Sequence, residues 1–300
     1  MTYSIVARDA KTGELGVAVQ TGLPGVGRLC PWAEAGVGAV ATQSLVRVAH
    51  GPSGLALMRN GHTAAEALAA VLAGDERREV RQVGMIDVNG VVDSFTGSGC
   101  IRFAGHRVGE NYAVQANMMA KDTVPEAMAA AFESAEGPLV ERLVAALRAA
   151  QVEGGDFRGQ QSAALRIVSG ELPKNSWQGV NYDVRVDDHP TPVEELARIC
   201  TRSRVYHELG RAYELLEANK FDDAMAEFEQ ITALDPEEKQ ARFSFALEMA
   251  TQHGQLDRVS GILGDLFAED HMWVEYFERM VDARFGGTDD IRQQIMKLAP

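Results

Sequence analysis

Residues 2–21, Thr2-Tyr3-Ser4-Ile5-Val6-Ala7-Arg8-Asp9-Ala10-Lys11-Thr12-Gly13-Glu14-Leu15-Gly16-Val17-Ala18-Val19-Gln20-Thr21, read as a β-hairpin. Thr2 to Asp9 and Glu14 to Thr21 are the strands, and Gly13 closes the turn where positive φ is needed. Both strands are apolar almost throughout, so both faces should be covered. Such a hairpin belongs inside a layered structure and not at a wet edge. Thr2 and Ser4 share one face of the first strand. If Met1 is removed, Thr2 carries a hydroxyl nucleophile beside a free α-amine. That amine, with a pKa of roughly 7.7–8.0, can serve as the nucleophile's own base.

The chain continues in blocks. Val37 to Gln43 reads as a third buried strand, after a turn-rich Gly22 to Gly27 loop. Pro52 to Met58 and Thr63 to Ala73 read as helices, the second opened by a capping box of Thr63 and Glu66. Strands are expected at Arg81 to Asp87 and Val91 to Phe95 around Asn89-Gly90, then at Phe103 to Val108 and Tyr112 to Asn117. Helices follow at Asp122 to Glu133 and Leu139 to Gln151, and strands at Ser162 to Val168 and Tyr182 to Asp187. Two prolines, Pro190 and Pro192, end the pairing. Helices in blocks between antiparallel strands predict an α+β layered fold, not alternating βαβ units.

Beyond Pro192 no strand is expected. Tyr206, Leu209, Gly210, Tyr213, Ala224, Phe228 and Pro236 stand at tetratricopeptide-like spacing, with about two extra residues between the halves. Small residues at 210 and 224 would let two helices cross closely. Further helices are expected at Ala241 to Gln252, Leu256 to Phe267 and Met272 to Phe285. Two domains result, residues 1–195 and 196–300.

Among 300 residues, 46% are hydrophobic, and the net charge is −14. That charge argues against nucleic acid or an anionic membrane as partner. No apolar run reaches membrane-spanning length, and no secretory signal opens the chain. The expectation is a soluble cytoplasmic protein. Cys30, Cys100 and Cys200 form no CxxC pair, so neither a metal site nor a disulfide framework is expected. No phosphate-binding or dinucleotide loop has the required spacing, and no cofactor is expected.

Several polar groups stand at strand ends. Thr42-Gln43-Ser44 and Gln115-Ala116-Asn117 bring amides that can donate to a developing oxyanion, or simply cap backbone groups. Gly154-Gly155-Asp156-Phe157-Arg158-Gly159-Gln160-Gln161 abuts a buried strand, and Asp156 and Arg158 would orient a polar substrate or pair with each other. Asp187-Asp188-His189 reads either as a metal-binding or acid/base group or as an ion-paired strand terminus, and the terminus is favoured because consecutive strand residues face apart. His106 reads as structural. Cys100 needs a spatial partner to be reactive.

Ser4-Ile5-Val6-Ala7-Arg8-Asp9, Pro31-Trp32-Ala33, Gly36-Val37-Gly38-Ala39-Val40-Ala41-Thr42-Gln43, Ala104-Gly105-His106, the 154–165 stretch and Arg185-Val186-Asp187-Asp188-His189-Pro190 together resemble an uncharacterised prokaryotic family of unknown function. That family is placed among N-terminal-nucleophile (Ntn) hydrolases. The resemblance covers residues 1 to about 195. It implies a four-layer αββα sandwich, two antiparallel sheets between helix layers, and an amide (C–N) hydrolase acting on a small molecule or peptide. Thr2 or Ser4 is then the nucleophile and Asn117 an oxyanion donor. Arg8, Thr42, Gln43, Asp156, Arg158 and Gln161 contact substrate, and the protein is a homo-oligomer such as a dimer. The helical region, residues 200–285, would bind a protein partner. The alternative is a non-catalytic scaffold whose helices mediate protein–protein interaction or oligomerisation.

Overall fold

The structure is a computed structural model that describes residues 2–175, 178–282 and 287–300. Met1 lies outside the described residues, and so does Phe285, the expected end of the helix from Met272. The chain forms two compact units, residues 1–200 and 201–300.

In the first unit, β1 (Thr2–Arg8), β2 (Leu15–Thr21), β7 (Gly105–Gly109), β8 (Tyr112–Asn117), β9 (Ser162–Val168) and β10 (Val180–Val186) form a six-stranded sheet of order β10-β9-β2-β1-β8-β7. A second sheet has the order β3-β4-β5-β6, from β3 (Pro31–Glu34), β4 (Gly38–Ser44), β5 (Arg81–Asp87) and β6 (Val92–Thr96). Every pairing in both sheets is antiparallel. The opening hairpin lies at the centre of the larger sheet and is buried on both faces.

Side-chain alternation distributes the hairpin between two apolar layers. Tyr3, Ile5 and Ala7 pack with Met128, Phe132, Leu143 and Leu147 of α3 (Val124–Ser134) and α4 (Leu139–Val152). Val6, Val17 and Val19 face the other way, against Ala39, Ala41 and Ile86 of the smaller sheet. The far face of that sheet, with Val40, Val83 and Met85, is covered by Leu55, Met58, Ala67 and Leu68 of α1 (His50–Arg59) and α2 (Ala64–Ala73). The capping box of Thr63 and Glu66 is formed at the start of α2. Small side chains at Ala39, Ala41, Ala113 and Ala164 line the space between the sheets.

Three local readings need correction. β3 is an additional strand, in a stretch to which the sequence assigns no element. It begins at Pro31, whose missing N–H is tolerated because β3 is an edge strand. β7 begins at Gly105 and not at Phe103, because Phe103 is left-handed at φ 58° and cannot extend the ladder. The chain also ends in α10 (Asp289–Met296), capped by the Thr288 side chain, which sequence reading left unassigned.

The second unit is helical. α5 (Pro192–Glu217) runs into it from the first unit, and α6 (Phe221–Thr232), α7 (Lys239–Thr251), α8 (Leu256–Glu269), α9 (Met272–Asp282) and α10 follow. Its core joins Leu209, Ala224, Phe228, Phe245 and Phe267, with the Phe228 and Phe245 rings stacked at 4.2 Å. Ala224 is fully buried. Gly210 is not at a close helix crossing: a Cβ there would meet nothing within 4 Å. Among the described residues no helix is long and apolar enough to cross a membrane.

Candidate functional site

The space between the sheets is apolar in its middle and polar at one end, where Thr2 begins β1. On the larger sheet, Thr2 and Ser4 stand opposite Asn117 and Gln115 in the β1–β8 register. From the smaller sheet, Gln43 and Gln82 meet them, themselves paired across β4 and β5. Gln43 Nε2 donates to Gln82 Oε1 at 2.8 Å and to the Thr2 carbonyl at 3.1 Å. Asn117 Nδ2 donates to the same two acceptors, at 2.8 Å and 3.4 Å. Gln82 Nε2 in turn reaches Thr96 Oγ1 and the Ala116 and Gly105 carbonyls. Amides are the residue type that can do this, since each offers donors and acceptors without a charge to desolvate.

Deeper in the interface, Gln115 Nε2 donates to Ser4 Oγ at 3.2 Å and to the Ala41 carbonyl at 3.0 Å, and Ser94 Oγ donates to Gln115 Oε1 at 2.9 Å. Glycine at 84 gives Gln115 room, because a Cβ there would stand a tight 3.0 Å from Gln115 Oε1.

Toward the loops the Thr2 hydroxyl donates to Thr21 Oγ1 at 3.2 Å. Thr21 Oγ1 also accepts from Arg158 Nη2 at 3.1 Å. Arg158 forks onto Asp156 through Nε at 3.1 Å and Nη2 at 2.7 Å, and the Gly22 N–H donates to Asp156 Oδ2 at 2.9 Å. The Arg158 backbone N–H adds a bond to Asp156 Oδ1 at 2.9 Å, and the Asp156 side chain is fully buried, so these donors hold its charge in place of water. Burial, and then the Asp156 charge, raise the pKa of the neighbouring Tyr3 phenol. Burial likewise pushes the Cys30 thiol up to about 12. All three cysteines are free thiols.

The structure thus brings together Thr2, Ser4, Gln43, Asn117, Asp156 and Arg158. Gln161 joins at the margin: its N–H donates to the Thr21 carbonyl, and its side chain reaches Asp188 at 3.2 Å. Two expected residues stand apart. Arg8 is six residues along β1 from Thr2, about 20 Å at the rise of a strand, and its Nε donates to the Val88 carbonyl at 2.8 Å. Thr42 alternates with Gln43 and so faces α1 and α2, donating to the Arg47 carbonyl. Asn117 is not free to hold an oxyanion as expected, because its donors already serve Thr2 and Gln82. Among the described residues its buried Oδ1 has no partner.

Sequence reading missed Gln82 and Thr21. Gln82 lies inside β5 and Thr21 ends β2, and only the pairing of distant strands shows that Gln82 meets Gln43 and Asn117 and that Thr21 meets Thr2 and Arg158. Among the described residues no group of His, Cys, Asp and Glu could hold a metal ion.

Around this polar end runs a collar of exposed apolar side chains, Leu23, Leu45, Val46, Ile101 and Phe157, all on loops. Backbone and side-chain bonds tie the loops in sequence. Ser162 Oγ donates to the Leu23 carbonyl, the Phe157 N–H to Met118, the Met118 N–H to Ile101, and Arg81 Nη1 to the Leu45 carbonyl.

The model of a family of unknown function, DUF1028, matches residues 2–196. The crystal structure of protein SPO2555 from Silicibacter pomeroyi, a protein of that family, is similar with 29% identity and a TM-score of 0.61, over 67% of this chain and 85% of that one. Anbu, an ancestral β-subunit from Yersinia bercovieri, aligns at 13% identity and a TM-score of 0.32, over 68% of this chain and 95% of its own. No curated protein matches. With the family match spanning most of the first unit, and a family structure sharing its fold, the chain belongs to the DUF1028 family of unknown function.

Proposed function

We propose that the first unit is an amide hydrolase of the N-terminal-nucleophile type and that Thr2, once Met1 is removed, is its nucleophile. The observation that carries this is the Thr2 hydroxyl itself. It stands at the start of the central strand, inside the collar, and is bonded to Thr21, which the Arg158–Asp156 fork fixes. Thr2 Oγ1 attacks the carbonyl carbon of an amide, and its proton passes to the α-amine and then to the departing nitrogen. Water afterwards hydrolyses the ester left on Oγ1. The unpartnered Asn117 Oδ1 is the acceptor for the new α-ammonium, which makes Asn117 a positioning residue. Ser4 is structural in this reading: it is fully buried, and its Oγ partner is an amide with no capacity as a base.

The helical unit is read as a tetratricopeptide-like docking module, supported by Leu209, Ala224 and Phe228 sharing one core. A second reading, a non-catalytic scaffold, is favoured by the saturation of the donors around Thr2. A β-lactone, which acylates an N-terminal threonine with no leaving group, separates the two. The expected result is loss of Met1 and one adduct by intact mass, retained in Ser4→Ala and absent in Thr2→Ala. Retained Met1, or an adduct surviving in Thr2→Ala, overturns the hydrolase reading.

A further inference from the structure

We infer that the first unit carries a binding groove for an organic anion with a flat or apolar body, along the edge strand β3. The six-stranded sheet is two strands wider than the four-stranded one, and a groove of about 530 Å³ opens beside β3, between α1, β9 and β10. That volume lies in the range of small-molecule sites, about 300–1,000 Å³. None of its lining residues belongs to the amide network around Thr2.

The floor is apolar, formed by Pro31, Trp32, Pro52, Leu55, Val168 and Val180. Four arginines stand over it: Arg28, Arg59, Arg166 and Arg185. Among the described residues two carboxylates answer them. Glu34 takes a two-pronged bond from Arg59, and Asp183 is shared between Arg166 at 2.9 Å and Arg185 at 3.1 Å. Arg28 makes no ion pair among the described residues, and Arg166 keeps a buried Nε with no partner. Four cations against two anions leave two positive charges in excess, on a chain whose net charge is −14. Like charges gathered over an apolar floor repel one another, and an anion bound there removes that repulsion. Guanidinium donors favour a planar or multi-oxygen anion, a carboxylate, sulfonate or phosphate. The Trp32 side chain and the prolines favour a flat or aliphatic body behind it.

Anilinonaphthalene sulfonate, which has this shape and fluoresces on leaving water, is the probe, titrated into the full chain. The expected result is one site per chain, weakened about tenfold by Arg28→Glu, as loss of one charge-assisted bond predicts. Arg28 is exposed and makes no ion pair, so this variant keeps the fold, which its melting temperature checks. Arg166→Ala should weaken binding to a similar degree, and uncharged phenylnaphthylamine should bind at least about tenfold more weakly than the sulfonate. Undiminished binding in both arginine variants, or equal binding of the uncharged compound, overturns the assignment. An undiminished signal in Thr2→Ala leaves the groove proposal standing whatever becomes of the hydrolase reading.

Discussion

Asp75 shows how one residue can be hidden in plain sequence. Asp75 stands between charged neighbours, Glu76 and Arg77, yet its side chain is only 4% exposed. His50 Nε2 lies 3.0 Å from Oδ2, Arg81 Nε donates to the same oxygen at 2.9 Å, and the Arg77 N–H donates to Oδ1 at 3.0 Å. Burial alone would raise this carboxyl, but the bonds from Arg81, the Arg77 N–H and His50 outweigh it and hold the pKa below the ordinary 3.8. For His50 burial dominates over Asp75, and its pKa is lowered from 6.5. Both folded values are depressed, so both contributions are present above the unfolded values and are lost as pH falls through the folded ones. The His50 share begins to fade below pH 6.5 and the Asp75 share below pH 3.8. Asp75→Asn leaves the Arg81 cation buried and unpaired, and should cost about 3 kcal/mol at neutral pH. The variant's stability should also fall less steeply than the wild type's below pH 4, measured by urea unfolding. Parallel acid limbs would remove the carboxylate from this account.

At the scale of elements, α5 is one helix serving two cores. Val193, Leu196, Ala197 and Cys200 belong to the core of the first unit, and Val205, Leu209, Ala212 and Leu216 to that of the second. The family match stops at residue 196, inside this helix. A chain ending at Cys200 should therefore fold, whereas one ending at Thr191 loses four buried side chains. At about 1.5–3 kcal/mol for each large one, the shorter chain should melt at least several degrees lower or fail to express in soluble form. Equal melting temperatures would deny α5 a part in the first core. The elements themselves were legible wherever periodicity and turn chemistry agreed. Tyr112–Asn117 and Ser162–Val168 fall where alternation and apolar content place them. β3 was missed because a four-residue edge strand led by proline carries no local signal. The site was legible only as separate polar ends. That Gln43, Gln82 and Asn117 converge is a property of strand order, which no short-range pattern encodes.

Taken whole, the molecule bears a strong negative charge while one groove gathers arginines. Self-repulsion of the surface works against compactness. Raising salt from about 0.01 M to about 0.15 M shortens the screening length from about 30 Å to about 8 Å. The melting temperature should rise by a few degrees across that range, followed by circular dichroism. A fall would mean that attractive ion pairs such as Arg148–Glu194 dominate instead.

The collar carries a consequence of another kind. Leu23, Leu45, Val46, Ile101 and Phe157 reach into water from loops whose anchors are chiefly main-chain atoms and the side chains of neighbouring residues. Such positions can be exchanged while the strands beneath keep their register. Under the proposed hydrolase reading, exchanging these five side chains would alter what the rim admits, with little penalty to folding.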